Sequence, residues 1–183
     1  KRGMTLVESN TLGPVTMAEA ELRILQSIQS KVEDYLEVQL HVGTASVAAN
    51  LAMMESNEMS GGQRQFIQLR LATPLPLVPG ERFVIRTNIP DSGATGMTTI
   101  GGGQILGLSN TRLRRKKQWT LDLLAARRAA VSNPLHWCEQ LVREGEAPAT
   151  IAGLQKQCWN RAEEIATALD RLLAEGCIVR VAS

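Results

Sequence analysis

The apolar residues of this chain change their period near residue 111, and that change sets what the chain can fold into. Between Ala20 and Leu108 they tend to recur at every second position. In the clearest stretch Leu36, Val38, Leu40 and Val42 fall on one side and Glu37, Gln39 and His41 on the other, which is the pattern of a half-buried strand. Further strands are expected from Glu21 to Gln26, Ser46 to Met53, Gln65 to Leu71, Glu81 to Thr87 and Thr98 to Leu106, separated by turn formers such as Gly61-Gly62 and Pro79-Gly80. Six short strands of this kind predict a closed β-barrel.

After Thr111 the pattern turns helical. A first helix is expected from Gln118 to Ala130. Asn133-Pro134 opens a second, because Asn caps free backbone N–H groups and Pro suits the first helical position, and it should run to Gly145. A shorter helix follows at about Thr150 to Cys158. Asn160, with Glu163 three residues on, reads as a capping box for a last helix carrying Ile165, Leu169, Leu172 and Leu173 at helical spacing and stopped by Gly176. A strand from Cys177 to Val181 completes the order of a winged helix-turn-helix. The expected layout is 1–18 as the end of a preceding domain and linker, 19–110 as the barrel, and 111–183 as a basic linker and winged helix. Lys1-Arg2-Gly3-Met4-Thr5-Leu6-Val7 reads as the end of a strand already in progress, so the chain is expected to be a piece of a longer protein.

Little in the sequence points to catalysis. There is no G-x-x-x-x-G-K-[ST] phosphate loop, no H-E-x-x-H and no G-x-S-x-G. Gly101-Gly102-Gly103 lacks the lysine and the helix of a nucleotide loop, and reads instead as a place where a curved strand packs closely. His41 and His136 fall in different halves, and Cys138, Cys158 and Cys177 form no C-x-x-C pair, so no metal site and no catalytic residue is expected. The cysteines read as semi-buried reduced thiols. No apolar run approaches the roughly 20 residues of a membrane span, and a cytoplasmic location is expected.

The formal charge is only +2, but its distribution is uneven. Arg112, Arg114, Arg115, Lys116 and Lys117 place five cations in six positions, a density that either attracts phosphate or simply solvates a linker. The last helix carries Glu163, Glu164, Asp170 and Glu175 against Arg161 and Arg171. Carboxylates are repelled by the phosphates that flank a groove, so this helix is a poor reader of DNA.

Four segments resemble, in order and spacing, the third domain of translational GTPases. They are Leu40-His41-Val42-Gly43-Thr44-Ala45, Leu69-Arg70-Leu71-Ala72-Thr73-Pro74-Leu75, Pro79-Gly80-Glu81-Arg82-Phe83-Val84-Ile85-Arg86 and Thr98-Thr99-Ile100-Gly101-Gly102-Gly103-Gln104-Ile105-Leu106. The Pro-Gly-x-Arg-Phe element and the glycine strand are shared in looser form with elongation factor Tu. The basic linker and the helices after it resemble the extension of the bacterial selenocysteine-specific elongation factor. The segment Asn88 to Met97 departs from that pattern as a longer loop.

The resemblance implies a factor that carries selenocysteinyl-tRNA to the ribosome, with GTP and magnesium held by a GTPase domain outside these residues and the mRNA recoding hairpin held by a later winged helix. This piece would need no cofactor of its own. It would supply part of the tRNA cradle and the arm that links the GTPase core to the hairpin-binding end. By position His41, Gly43, Thr44 and Arg86 are the candidate RNA contacts on the barrel, joined by the linker cations Arg112, Arg114, Arg115, Lys116 and Lys117. Two of these have other readings: His41 as a merely solvated side chain, and Arg86 as a structural partner of a carboxylate. A winged-helix DNA-binding regulator and a protein-protein adaptor of the translation apparatus are the competing functions.

Overall fold

Alternation of apolar and polar side chains produces strands that must bury one face, and here they do so by curling into a barrel. The computed structural model describes residues 13–88, 96–145, 147–158 and 160–181. Its strands are β1 (Pro14–Ile24), β2 (Val32–Glu33), β3 (Glu37–Val42), β4 (Ala45–Met53), β5 (Glu58–Met59), β6 (Arg64–Pro76), β7 (Arg82–Thr87) and β8 (Thr98–Ser109). Six of them close in the order β1-β6-β4-β3-β7-β8, with β8 returning to β1 and every pairing antiparallel. Closure leaves the six without an unpaired edge. Leu22, Ile24, Leu40, Leu51, Met53, Ile67, Leu69 and Ile85 fill the interior, and Val32 and Met59 of the small β2-β5 sheet join the same core.

The glycines of β8 are what let this circle close. A Cβ on Gly101 would lie 2.5 Å from the carbonyl oxygen of Arg23 in β1, and one on Gly102 would lie 2.5 Å from that of Phe83 in β7; at Gly103 it would overlap the Glu21 carbonyl. Both neighbouring strands therefore approach closer than any side chain allows. Three strands exceed expectation. The first begins at Pro14 rather than Glu21 and runs through the boundary expected at residue 18, while β6 continues to Pro76 and β8 to Ser109. Proline at the first strand position needs no ladder donor, and β8 carries a bulge at the last residue of its expected length. Between Glu19↔Gly107 and Ala20↔Ile105, Leu106 is unopposed and turns outward into the second core.

That second core belongs to four helices, α1 (Gln118–Ala130), α2 (Pro134–Glu144), α3 (Ile151–Gln155) and α4 (Ala162–Ala174). The Asn133 side chain caps α2 by accepting from the N–H groups of Leu135 and His136 at 2.9 and 3.3 Å, and Thr150 caps α3 through the Gly153 N–H at 3.1 Å. Trp137, Cys138, Leu141, Leu154, Cys158, Ile165 and Leu172 pack together. Trp137 donates its ring N–H to the Gln157 carbonyl at 3.3 Å. All three cysteines are free, Cys138 and Cys158 buried and Cys177 exposed. A hydrogen bond with the Cys158 thiol, together with burial, pushes the Cys138 thiol well up, which makes it inert as a nucleophile.

Two details of the expected helical half are corrected. The box at the start of α4 uses Glu164, not Glu163. Arg161 is the residue whose backbone is still extended, and Glu164, three residues later, accepts from its N–H at 3.2 Å and from the Asn160 side chain at 3.1 Å. Among the described residues no strand forms at 177–181. Val179 and Val181 alternate as a strand would, but they stay exposed, and a ladder needs a partner that this segment does not meet. The helices thus follow the expected order without the expected wing. Lys1 to Val7 and the tip of the Asn88 to Met97 loop lie outside the described residues.

The helical half is seated on the barrel rather than tethered to it. Arg127 of α1 reaches Glu19 of β1 at 3.2 Å and Glu144 of α2 at 2.7 Å, with side-chain exposures of 15%, 1% and 15%. Burial works against the guanidinium charge, yet the two carboxylates hold its pKa above the ordinary value. Gly107 makes the room, since a Cβ there would overlap the guanidinium. Arg128 adds an ion pair to Glu21 at 2.9 Å and lies 5.8 Å from the Phe66 ring centre.

Candidate functional site

The barrel has two outward sides, and the candidate residues divide between them. One side is covered: Glu19, Gln68 and Ala52 point outward in their strands yet, like Met54 just after β4, are buried beneath the linker and α1, where Ala52 and Met54 meet Leu113, Leu121 and Leu124. The other side is open. Register places one row of residues across it, Arg64↔Arg23↔Gly102↔Val84↔His41↔Ser46, through β6, β1, β8, β7, β3 and β4. Directly opposed residues share a face.

His41 belongs to this row and is half-buried. Its Nε2 is buried with no hydrogen-bond partner among the described residues, so it is not the merely solvated histidine that the sequence allowed. Gly43, at φ +52, and Thr44 form the two-residue turn between β3 and β4, and both are exposed. Glycine at the first turn position suits the mirror-image turns that hairpins favour. Arg86 stands opposite Gln39, two rungs from His41. At about 3.3 Å per residue the turn and Arg86 are roughly 13 Å apart along one face, not at one strand end. Arg86 is exposed and donates to the Met97 carbonyl at 2.7 Å, so its partner among the described residues is a carbonyl rather than a carboxylate.

Arg23, Arg64 and Arg82 are also exposed and share this face, which the sequence reading missed. Parity along each strand was readable, but only the cross-strand register shows that three distant segments meet around Gly102. Among the described residues none of Arg23, Arg64, Arg82 and Arg86 forms an ion pair with a carboxylate. Among the acids near this face three are otherwise engaged, whereas Glu37 lies exposed two residues from Gln39. Arg127 and Arg128 take Glu19 and Glu21, and partial burial of Glu81, opposed by the Val78 N–H, raises its carboxyl pKa.

The linker cations do not act as one group. Arg115 is drawn in: it pairs with Asp34 at 2.6 Å, donates to the Met53 carbonyl at 2.6 Å, and lies 5.3 Å from the centre of the Tyr35 ring, which Arg70 also approaches at 4.9 Å. Arg112, Arg114, Lys116 and Lys117 remain exposed. No group of His, Cys, Asp and Glu residues fit to hold a metal occurs among the described residues, and no described helix is long and apolar enough to cross a membrane. What the geometry can do is bind polyanions.

Comparison with known proteins agrees with the architecture. The family model for the β-barrel domain of selenocysteine-specific elongation factors matches residues 19–112. The selenocysteine-specific elongation factor of Desulfomicrobium baculatum is 27% identical over 155 residues, which cover 85% of this chain and 23% of that protein. The chain thus spans about a quarter of the length of this curated relative. A closed six-stranded barrel with the family's domain signature, continuing into a helical extension within the same alignment, places the chain in the selenocysteine-specific elongation factor family.

Proposed function

We propose that this chain supplies part of the tRNA-binding cradle of a selenocysteine-specific elongation factor, and the arm that carries motion from the GTPase core toward the end that grips the mRNA hairpin. The observation that supports the cradle is the open barrel face, where Arg23, Arg64, Arg82 and Arg86 lie around Gly102 and Val84 with His41, Gly43 and Thr44 along it. Arginines that meet no carboxylate among the described residues suit the phosphate backbone of an RNA stem. The arm reading draws on the buried Arg127 joint. GTP and magnesium would be held elsewhere in the factor, which would deliver selenocysteinyl-tRNA to the ribosome in the cytoplasm.

Titration of the chain with selenocysteinyl-tRNA, bulk tRNA and duplex DNA at two salt concentrations tests this. Selenocysteinyl-tRNA should bind tightest, with affinity falling steeply with salt. Tighter binding to duplex DNA would overturn it in favour of a winged-helix regulator, against which the acidic α4 already counts. Binding to none of the three would favour a protein-protein adaptor.

A further inference from the structure

The linker between barrel and helices is folded against the barrel along its length. Gln68 donates to the Thr111 carbonyl at 2.8 Å, Thr120 donates its hydroxyl to the Arg114 carbonyl at 2.7 Å, and the Lys116 N–H reaches the Met54 carbonyl at 2.8 Å. Leu113 packs beside Ala52, Met54 and Leu124, and Arg115 is anchored to Asp34. Fixing these alternate points leaves Arg112, Arg114, Lys116 and Lys117 presented outward from a set backbone, with Lys116 held at φ +56. None of the four has a carboxylate partner among the described residues.

Two residues beyond Lys117 stands Trp119, 55% exposed. It lies in the first turn of α1, whose buried side is marked by Thr120 and Leu124. Indole rings are usually well buried, and an exposed one beside a cluster of cations has an apolar face free to stack. No acidic residue occurs from 112 to 121, and Asp122 is taken by the Gln118 side chain at 2.8 Å.

We infer that Arg112, Arg114, Lys116, Lys117 and Trp119 form a second RNA site, distinct from the open barrel face, that takes an unpaired strand with its phosphates on the cations and one base stacked on the indole. A duplex hides the faces of its bases, whereas an unpaired strand offers both phosphate and ring. The assignment of RNA rests on the function proposed above; the preference for an unpaired strand rests on Trp119.

The test uses the intact chain and two labelled probes, an unstructured 12-nucleotide RNA and a 12-base-pair RNA duplex, followed by anisotropy at several salt concentrations. The single strand should bind about tenfold tighter than the duplex. Trp119→Ala should weaken single-strand binding by about tenfold and Trp119→Phe by much less, because stacking needs a ring and not an indole. The double change Lys116→Ala, Lys117→Ala should reduce the slope of log affinity against log salt by about 1.4, at roughly 0.7 per phosphate. An unchanged Trp119→Ala chain, or a duplex bound as tightly as the strand, overturns the inference, as does failure of both probes to bind. Far-ultraviolet circular dichroism confirms that each variant is folded. Selenocysteinyl-tRNA titrated against an Arg82→Ala, Arg86→Ala chain separates the two readings. If that change leaves tRNA binding intact while Trp119→Ala weakens the strand, only the cradle falls; the reverse pattern removes only the second site.

Discussion

The covered and the open sides of the barrel are built from the same alternating strands, yet one is spent on attachment and the other stays uncovered. On the covered side Glu19, Gln68, Ala52 and Met54 are each buried. Its arginines, Arg115 and Arg127, meet carboxylates at 2.6 to 3.2 Å. On the open side the arginines meet none among the described residues. The difference lies in the neighbours rather than in the residue types. Arginine stabilises the fold where a second element brings a carboxylate to it, and otherwise stays available to phosphate.

That contrast can be broken in four ways. Arg127→Met would leave Glu19 and Glu144 buried without their cation, a loss of about 3–5 kcal/mol when one partner of a buried pair is removed. Hydrogen exchange should show α1 amides losing protection while β3 and β4 keep theirs; equal loss in both would mean that barrel and helices unfold as one unit. Gly103→Ala comes next. It drives a Cβ into the Glu21 carbonyl, and since backbone must move the cost should reach the upper part of the usual 1–3 kcal/mol range, about 3 kcal/mol, in urea unfolding.

On the open face Arg82→Ala with Arg86→Ala should change stability by no more than about 0.5 kcal/mol, while tRNA binding weakens. A large stability loss would show this face to be structural after all. The smallest effect belongs to the exposed cap of α4. Hydrogen bonds from Asn160 and the Arg161 N–H hold the Glu164 carboxyl below its ordinary value of 4.5. A carboxyl depressed in the folded state stabilises it above 4.5, and that contribution disappears as pH falls through the depressed pKa. Glu164→Gln should therefore flatten a slight acid-side decline in melting temperature by lowering the value a little above pH 6 while leaving it nearly unchanged below the depressed pKa.

Much of the barrel was legible because period two and the glycine run are local signals: β3 and β7 fall within a residue of expectation. So are caps, and Gln118–Ala130 and the Asn133-Pro134 start form where they were expected. The site was less legible, because it depends on what sits across from each residue. Nothing in the sequence around His41 says that Val84 and Ser46 will flank it, nor around Arg115 that Asp34 and Tyr35 will claim it. The wing failed for the same reason in reverse. Val179 and Val181 carry a strand pattern, but pattern alone supplies no partner.

Barrel closure also has a history in time. Strand β1 pairs with β6 and with β8, so Met17 lies opposite both Arg70 and Ser109. During synthesis β1 emerges first and cannot be enclosed until the last strand is clear of the ribosome, a wait on the order of ten seconds at about 5–20 residues per second. Through that interval an apolar strand face lies open to wrong partners. Arg23 on β1 and Arg64 on β6, set beside each other only in the finished register, are charges of the kind that discourage such pairings. The same arginines that line the open face of the mature barrel would thus be placed to hinder such pairings in the nascent chain.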